Sequence, residues 1–207
     1  KDASIFPVPV PNHAGKMQLG IIHRPLFPGT LPEETVCLDR SQAVDFDHRS
    51  IWISYCPLTL KSLVFHPLGL FNSHQRLAVP EAPWERLKIG GGTPPVLTRH
   101  GWLIVYHGVH ELPVPAPDKH ALCYSAGVMI LSRENPDIVL YRSKEPVLSP
   151  QLPQERHGVV ANVVFPTGID RRDDLGKPDR YDIYYGMADT RIGVARLAVP
   201  ELLPDHR

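Results

Sequence analysis

Cysteine is scarce in this chain: Cys37, Cys56 and Cys123 are the three among 207 residues, widely separated and odd in number, with no C-x-x-C spacing. That excludes a disulfide framework and a structural zinc site of the usual kind, and it favours a reducing compartment, the cytoplasm. Net charge is also missing. Lys plus Arg equals Asp plus Glu at 22 each, so there is no basic footprint for nucleic acid or an acidic membrane surface. No apolar run is long enough to cross a bilayer, and nothing reads as a signal peptide, although the sequence starts abruptly at Lys1 without a methionine. Long helices are excluded by another route. The 23 prolines are spread over the whole length, and each removes a backbone donor and disfavours helix at the residue before it.

What remains is a strand-and-loop protein in one domain, residues 1–207, large enough to bury a core. Segments rich in Val, Ile and Tyr and bounded by Gly, Pro, Asn or Asp predict strands at 16–23, 50–55, 95–98, 101–107, 120–131, 138–141, 159–166, 180–188 and 191–197. Several share a style of a turn, alternating aliphatic and aromatic residues, and a polar residue at the strand end. Meanders of that kind suggest propeller blades whose inner strand ends converge on a channel, with a two-sheet sandwich as the competing architecture. The charged segment 170–180, DRRDDLGKPDR, reads as a solvated hairpin loop.

The most informative stretch is KIGGGTPPVLTRHGWLIVYHG at 88–108. Period-2 alternation puts Leu103, Val105 and His107 on one face of a strand and Trp102, Ile104 and Tyr106 on the other. A lone His at a strand end is usually held by a carbonyl, and a lone Lys is usually a solvated charge. Between Lys88 and His107, however, lie Gly90, Gly91 and Gly92, which permit close backbone approach to a ligand, and Pro94 and Pro95, which stiffen the exit. The combination reads as a site for an anionic sugar or phosphate. It is no P-loop, since the G-x-x-x-x-G-K-[ST] order and a following helix are both missing. A metal reading of His100, His107, His110 and His120 is disfavoured, because His107 and His110 fall on opposite strand faces without a suitably spaced carboxylate.

The segments KDASIFP, IIHRP, KIGGGTPPVLTRHGWLIVYHGV, YSAGVMILSRENPDIVLYRSKEPVL, ANVVFPTG and YYGMADTRIGVARL, in that order, resemble glycoside hydrolase family 130, the β-mannoside phosphorylases and mannosidases. The resemblance implies an all-β, five-bladed β-propeller, present here as about three blades plus part of another and lacking its N-terminal blades. It implies inverting phosphorolysis of a β-mannoside to mannose 1-phosphate, with inorganic phosphate as co-substrate and no cofactor or metal. The rivals are hydrolysis by the same fold and a non-catalytic sugar-binding propeller fragment. Carried over residue by residue, it puts Lys88 and His107 on phosphate, with Arg24 and Lys1 from the two N-terminal motifs as further phosphate contacts. Asp189 would bind the mannosyl unit, with Asn162, Tyr106 and Glu155 as further substrate candidates. The general-acid aspartate of the family belongs to a motif upstream of KDASIFP and has no counterpart here. A β-mannoside oligosaccharide and phosphate are the implied partners, and family members often form homo-oligomers, although no stripe identifies an interface. Departures from the family pattern are Ser50 in SIWISYCPLTL, KSLVFHPL after it, and Ala161 before NVVFP; they bear first on acceptor-sugar preference, which loops usually set.

Overall fold

The computed structural model describes residues 1–25, 49–57, 71–113 and 121–204; Cys37, His120 and the KSLVFHPL segment lie outside them. The described residues form three antiparallel sheets in chain order. The first holds β1 (Ser4–Ile5), β2 (Val10–Pro11), β3 (Met17–His23), β4 (Ile51–Pro57) and β5 (Asn72–Ala78), in the order β1-β3-β4-β5 with β2 also on β3. The second holds β6 (Lys88–Gly90), β7 (Val96–Thr98), β8 (Gly101–Leu112), β9 (Ala121–Leu131) and β10 (Val139–Arg142), in the order β10-β9-β8-β6 with β7 also on β8. In the third, β11 (Val164–Arg171), β12 (Arg180–Met187) and β13 (Arg191–Ala198) run in sequence order.

The middle sheet is buried on both faces, which is why β8 and β9 read as almost continuous apolar runs rather than as clean alternation. Trp102, Ile104 and Tyr106 join Phe6, Ile22, Ile53 and Tyr55 of the first sheet in one core cluster. Leu103 and Val105 join Val164, Tyr181, Ile183 and Tyr185 of the third in another. The period-2 partition of β8 is therefore the partition between two inter-sheet cores.

Two differences from the sequence reading have clear causes. The strand expected at 159–166 starts only at Val164, because Pro153–Arg156 forms a short helix and the chain then bends, leaving Val159 79% exposed. His107, expected at a strand end, lies inside a twelve-residue strand, since β8 continues to Leu112 opposite β9. Strands β5 and β6 escaped notice. NSHQRLA is too polar and KIG too short to carry a periodic signal.

Two buried glutamates pin the short turns that precede the inner strands. Glu85 accepts hydrogen bonds at Oε2 from the backbone N–H groups of Glu81 (3.0 Å) and Ala82 (3.1 Å), and at Oε1 from the Tyr106 hydroxyl (2.5 Å). Arg142 completes the set, its Nη2 2.7 Å from Glu85 Oε2 and its Nε donating to Tyr106 Oη at 3.1 Å. Glu155 repeats the pattern in the next sheet. Its Oε2 accepts from Gln151 N (2.7 Å) and Leu152 N (2.8 Å), and its Oε1 from the Tyr185 hydroxyl (2.8 Å). The two stretches share the pattern P-x-E-R, Pro83 to Arg86 and Pro153 to Arg156. Proline at the first helical position gives up a donor that would have been unpaired there anyway, and the glutamate two residues on folds back to cap the turn.

Above the first of these turns Trp84 lies across the middle sheet, donating from Nε1 to the Lys144 carbonyl at 2.9 Å. It fits because Gly108 and Gly127 lack side chains: a Cβ on Gly108 would sit 2.4 Å from Trp84 Cζ3, and one on Gly127 2.6 Å from Cη2. Gly108→Ala is accordingly expected to destabilise by about 1–3 kcal/mol through overpacking, read as a lower denaturation midpoint with unchanged slope. For Glu155, burial raises the carboxyl pKa, but the two backbone donors and Tyr185 outweigh it and hold the pKa below its ordinary value. A depressed folded pKa contributes stability above the unfolded value, lost as pH falls through the folded one. Glu155→Gln should cost about 1–2 kcal/mol at neutral pH, and its gap from the wild type should narrow below about pH 4 in denaturant titrations.

Candidate functional site

The three sheets meet at one polar locus. The first sheet delivers Asp2 and Arg24, because β1 pairs antiparallel with β3 (Ser4 opposite Ile22) and the ladder continues to the Arg24 N–H donating to the Lys1 carbonyl at 2.8 Å. Lys1 and Asp2 are thereby laid alongside Arg24. Asp2 takes a positive φ of 55°, and its Oδ2 accepts from both Arg24 Nε and Nη2 at 2.7 Å.

The second sheet delivers Lys88, His107 and Tyr124. Lys88 opens β6, and Gly90 two residues on pairs with His107 in β8. The His107 ring is 1% exposed, its Nδ1 is 2.9 Å from the Gly91 carbonyl, and its Nε2 is 3.8 Å from Asp2 Oδ2. Since a carbonyl only accepts, Nδ1 carries the proton. Burial, reinforced by the positive charges of Arg24 and Lys88 and opposed by Asp2, lowers the His107 pKa to about 4. At neutral pH the ring is therefore uncharged. Phe165, from β11 of the third sheet, packs on the imidazole with ring centroids 4.4 Å apart, and Tyr124 lies 6.1 Å away in a stacked arrangement.

Lys88 Nζ lies 5.4 Å from the centre of the Tyr124 ring, a cation–π contact. Among the described residues it has no carboxylate partner and no hydrogen bond. Burial lowers its pKa, and neighbouring Arg24 lowers it further, against a smaller opposing effect of Asp2. Arg24, with Nε and Nη2 committed to Asp2, has no partner for Nη1 among the described residues. Half-buried positive charge left without a matching anion is what an oxyanion site looks like before its ligand arrives.

The glycine run works differently from the sequence expectation. A Cβ at Gly90 would lie 2.4 Å from Asp2 Oδ2 and 2.5 Å from His107 Cε1, one at Gly91 2.7 Å from the Asp2 carbonyl, and one at Gly92 2.4 Å from the Val105 carbonyl. The close approach these glycines allow is by the protein itself. They let the first and second sheets close on each other around His107.

The sugar-side candidates divide. Asp189 is exposed at the tip of the β12–β13 hairpin, in a turn closed by Thr190 N to Met187 O at 3.0 Å. Its central residues Ala188 and Asp189 have φ of 45° and 53°, the handedness hairpin turns favour, but strained for alanine. Asp189 and Lys1 both act electrostatically on the Tyr124 phenol, which places them at the rim of the same locus. Asn162, with φ 59°, offers its carbonyl to the Tyr124 N–H at 2.9 Å, and its carboxamide has no hydrogen bond among the described residues. Tyr106 and Glu155 are placed elsewhere. Tyr106 is 0% exposed on the face of β8 opposite His107, bound to Glu85 and Arg142, and Glu155 is 2% exposed in its turn cap. Both hold the fold and do not face the locus, because their oxygens are already spent on buried partners. Asp2, Tyr124 and Phe165 were missed, although each lies within a motif already singled out: KDASIFP, YSAGVMIL and NVVFP.

A sequence-family model described as β-1,4-mannooligosaccharide phosphorylase matches residues 23–204. A 1,2-β-oligomannan phosphorylase from Thermoanaerobacter sp. (strain X514) is 38% identical over 178 residues, covering 86% of this chain and 50% of that protein. A β-1,2-mannobiose phosphorylase from the same source is 43% identical over 112 residues, covering 54% of this chain and 32% of that protein. Among solved structures, the β-1,2-mannobiose phosphorylase of Listeria innocua in complex with β-1,2-mannobiose aligns with a TM-score of 0.65 at 28% identity, covering 96% of this chain and 44% of that one. The chain thus spans about half the length of these relatives, or less. Its three stacked antiparallel sheets agree with the β-propeller architecture of its structural neighbours. With the match running through all three sheets, this chain belongs to glycoside hydrolase family 130.

Proposed function

We propose that this chain, as part of a single propeller domain, supplies the phosphate-binding side of a β-mannoside phosphorylase that releases mannose 1-phosphate with inversion. The observation that carries this reading is the half-buried Lys88 ammonium, which lies within electrostatic reach of Arg24 and has no carboxylate partner among the described residues. A hydrolase site built for water has no use for that uncompensated charge, whereas attacking phosphate needs it to offset the loss of its hydration. Lys88 and Arg24 act as donors to phosphate oxygens. His107, neutral at working pH, contacts the anion through Nε2. Asp189, at the rim, is assigned to hydroxyls of the mannosyl unit, with Asn162 beside it.

Phosphate replaces activated water as nucleophile, so the site needs no carboxylate base. A proton must still reach the departing oxygen from a carboxylic acid, and no residue of this chain is assigned that role. β-1,2- and β-1,4-linked mannosides are the substrate classes to test, since relatives of both descriptions are represented. The thiol usage and phosphate dependence fit a cytoplasmic protein.

Incubated with β-1,2- or β-1,4-mannobiose, the whole propeller domain that includes this chain and a proton donor is expected to form mannose 1-phosphate only when phosphate is supplied, whereas this chain by itself is expected to turn over little or none. Free mannose released at the same rate without phosphate would overturn the phosphorylase reading in favour of hydrolysis. Independently of turnover, Lys88→Ala should weaken binding of inorganic phosphate by about tenfold or more in calorimetric titration, the loss expected for a charge-assisted hydrogen bond. Its melting temperature should stay close to that of the wild type, because Lys88 has no ion pair to lose among the described residues.

A further inference from the structure

The proposed anion site contains two acceptors among its cations, and they face each other. With Nδ1–H committed to the Gly91 carbonyl at 2.9 Å, neutral His107 presents a lone pair at Nε2. That lone pair points toward a carboxylate, 3.8 Å from Asp2 Oδ2, a separation at which no hydrogen bond joins them. Asp2 Oδ2 is occupied by Arg24, while Oδ1 accepts nothing among the described residues. The groups around this gap are Arg24 and Lys88, Lys1 and Asp189 further out, and the rings of Tyr124 and Phe165. Among the described residues, none of them donates a hydrogen bond to Nε2 or to Oδ1.

Lone pairs held close together with no donor from the protein call for a donor from the ligand. Simple oxyanions differ in whether they bring one. Phosphate and arsenate carry at least one P–OH or As–OH group at neutral pH, and sulfate carries none. A fully deprotonated anion drawn in by Lys88 and Arg24 would set an oxygen against Nε2 and the Asp2 carboxylate, repelled by both.

Resting on the phosphate-site reading above, we infer that this site selects an oxyanion bearing its own proton, which it receives at His107 Nε2 and Asp2 Oδ1, and so discriminates phosphate and arsenate from sulfate. Asp2 is then a specificity-determining residue as well as the partner that orients Arg24. The anion's remaining oxygens accept from Lys88 Nζ and Arg24 Nη1. No bond is broken in this step, and the proton stays shared between the anion and its acceptor.

The test is calorimetric titration of the chain, in an anion-poor buffer near neutral pH, with sodium phosphate, arsenate and sulfate at matched ionic strength. Phosphate and arsenate are expected to bind alike and sulfate at least about tenfold more weakly, the penalty of acceptors left unpaired. Sulfate binding as tightly as phosphate overturns this inference and leaves the anion site standing. No binding of any of the three overturns the site itself. In Asp2→Asn a carboxamide that can donate replaces the carboxylate, so the preference for phosphate over sulfate should shrink severalfold. Full discrimination in a folded Asp2→Asn protein removes Asp2 from the assignment and contradicts the inference as stated. Should that variant not fold, the wild-type comparison decides alone.

Discussion

A carboxylate taken out of water must have its oxygens met by donors, and the second and third sheets are each organised around one that does. Glu85 and Glu155 hold the turn before their sheet's inner strands by two backbone N–H groups and reach a strand tyrosine with the other oxygen. Neither could be left half-satisfied, since a buried unpaired carboxylate costs more than the bonds that hold it contribute. Fixing Glu85 fixes the run from Trp84 to Gly90, and with it the position of Lys88. The polar locus is anchored from behind by a network that, among the described residues, does not touch it.

In front of that network the charges are deliberately mismatched. Arg24 is paired with Asp2 through only one edge, Lys88 is paired with an aromatic face rather than a carboxylate, and His107 is neutral. Where the fold needs stability, as at Glu85 with Arg142 or Asp182 with Arg172 and Arg196, opposite charges are matched directly. The contrast between saturated networks and an unsaturated one separates structural from ligand-facing groups better than residue type does. Tyr106 and Glu155 had the right chemistry for a sugar site, yet their polar atoms are already engaged.

Much of this was legible in the chain. The proline spacing and Val/Ile/Tyr runs announced an all-β protein, and alternation in GWLIVYHG separated the two faces of β8 correctly. Lys88 and His107 were singled out because glycines cluster between them, and the second sheet brings both beside Tyr124. Strand β6 and the P-x-E-R repeat were hidden for a physical reason: each is a few residues long, and their meaning lies in hydrogen bonds to partners distant in sequence. Asp2 went unremarked because an aspartate beside a lysine at the start of a motif has no local signature. Only the pairing of β1 with β3 brings it to Arg24.

The sequence alone determined the class of fold and pointed to some members of the locus, Lys88, His107 and Arg24, since strand propensity, proline and glycine act through local backbone sterics that a linear reading can follow. Tertiary structure decided which members of the locus have unspent hydrogen-bonding capacity. Charge and protonation depend on what surrounds a group in space. His107 is neutral because three sheets bury it beside two cations, and no window of sequence contains all three.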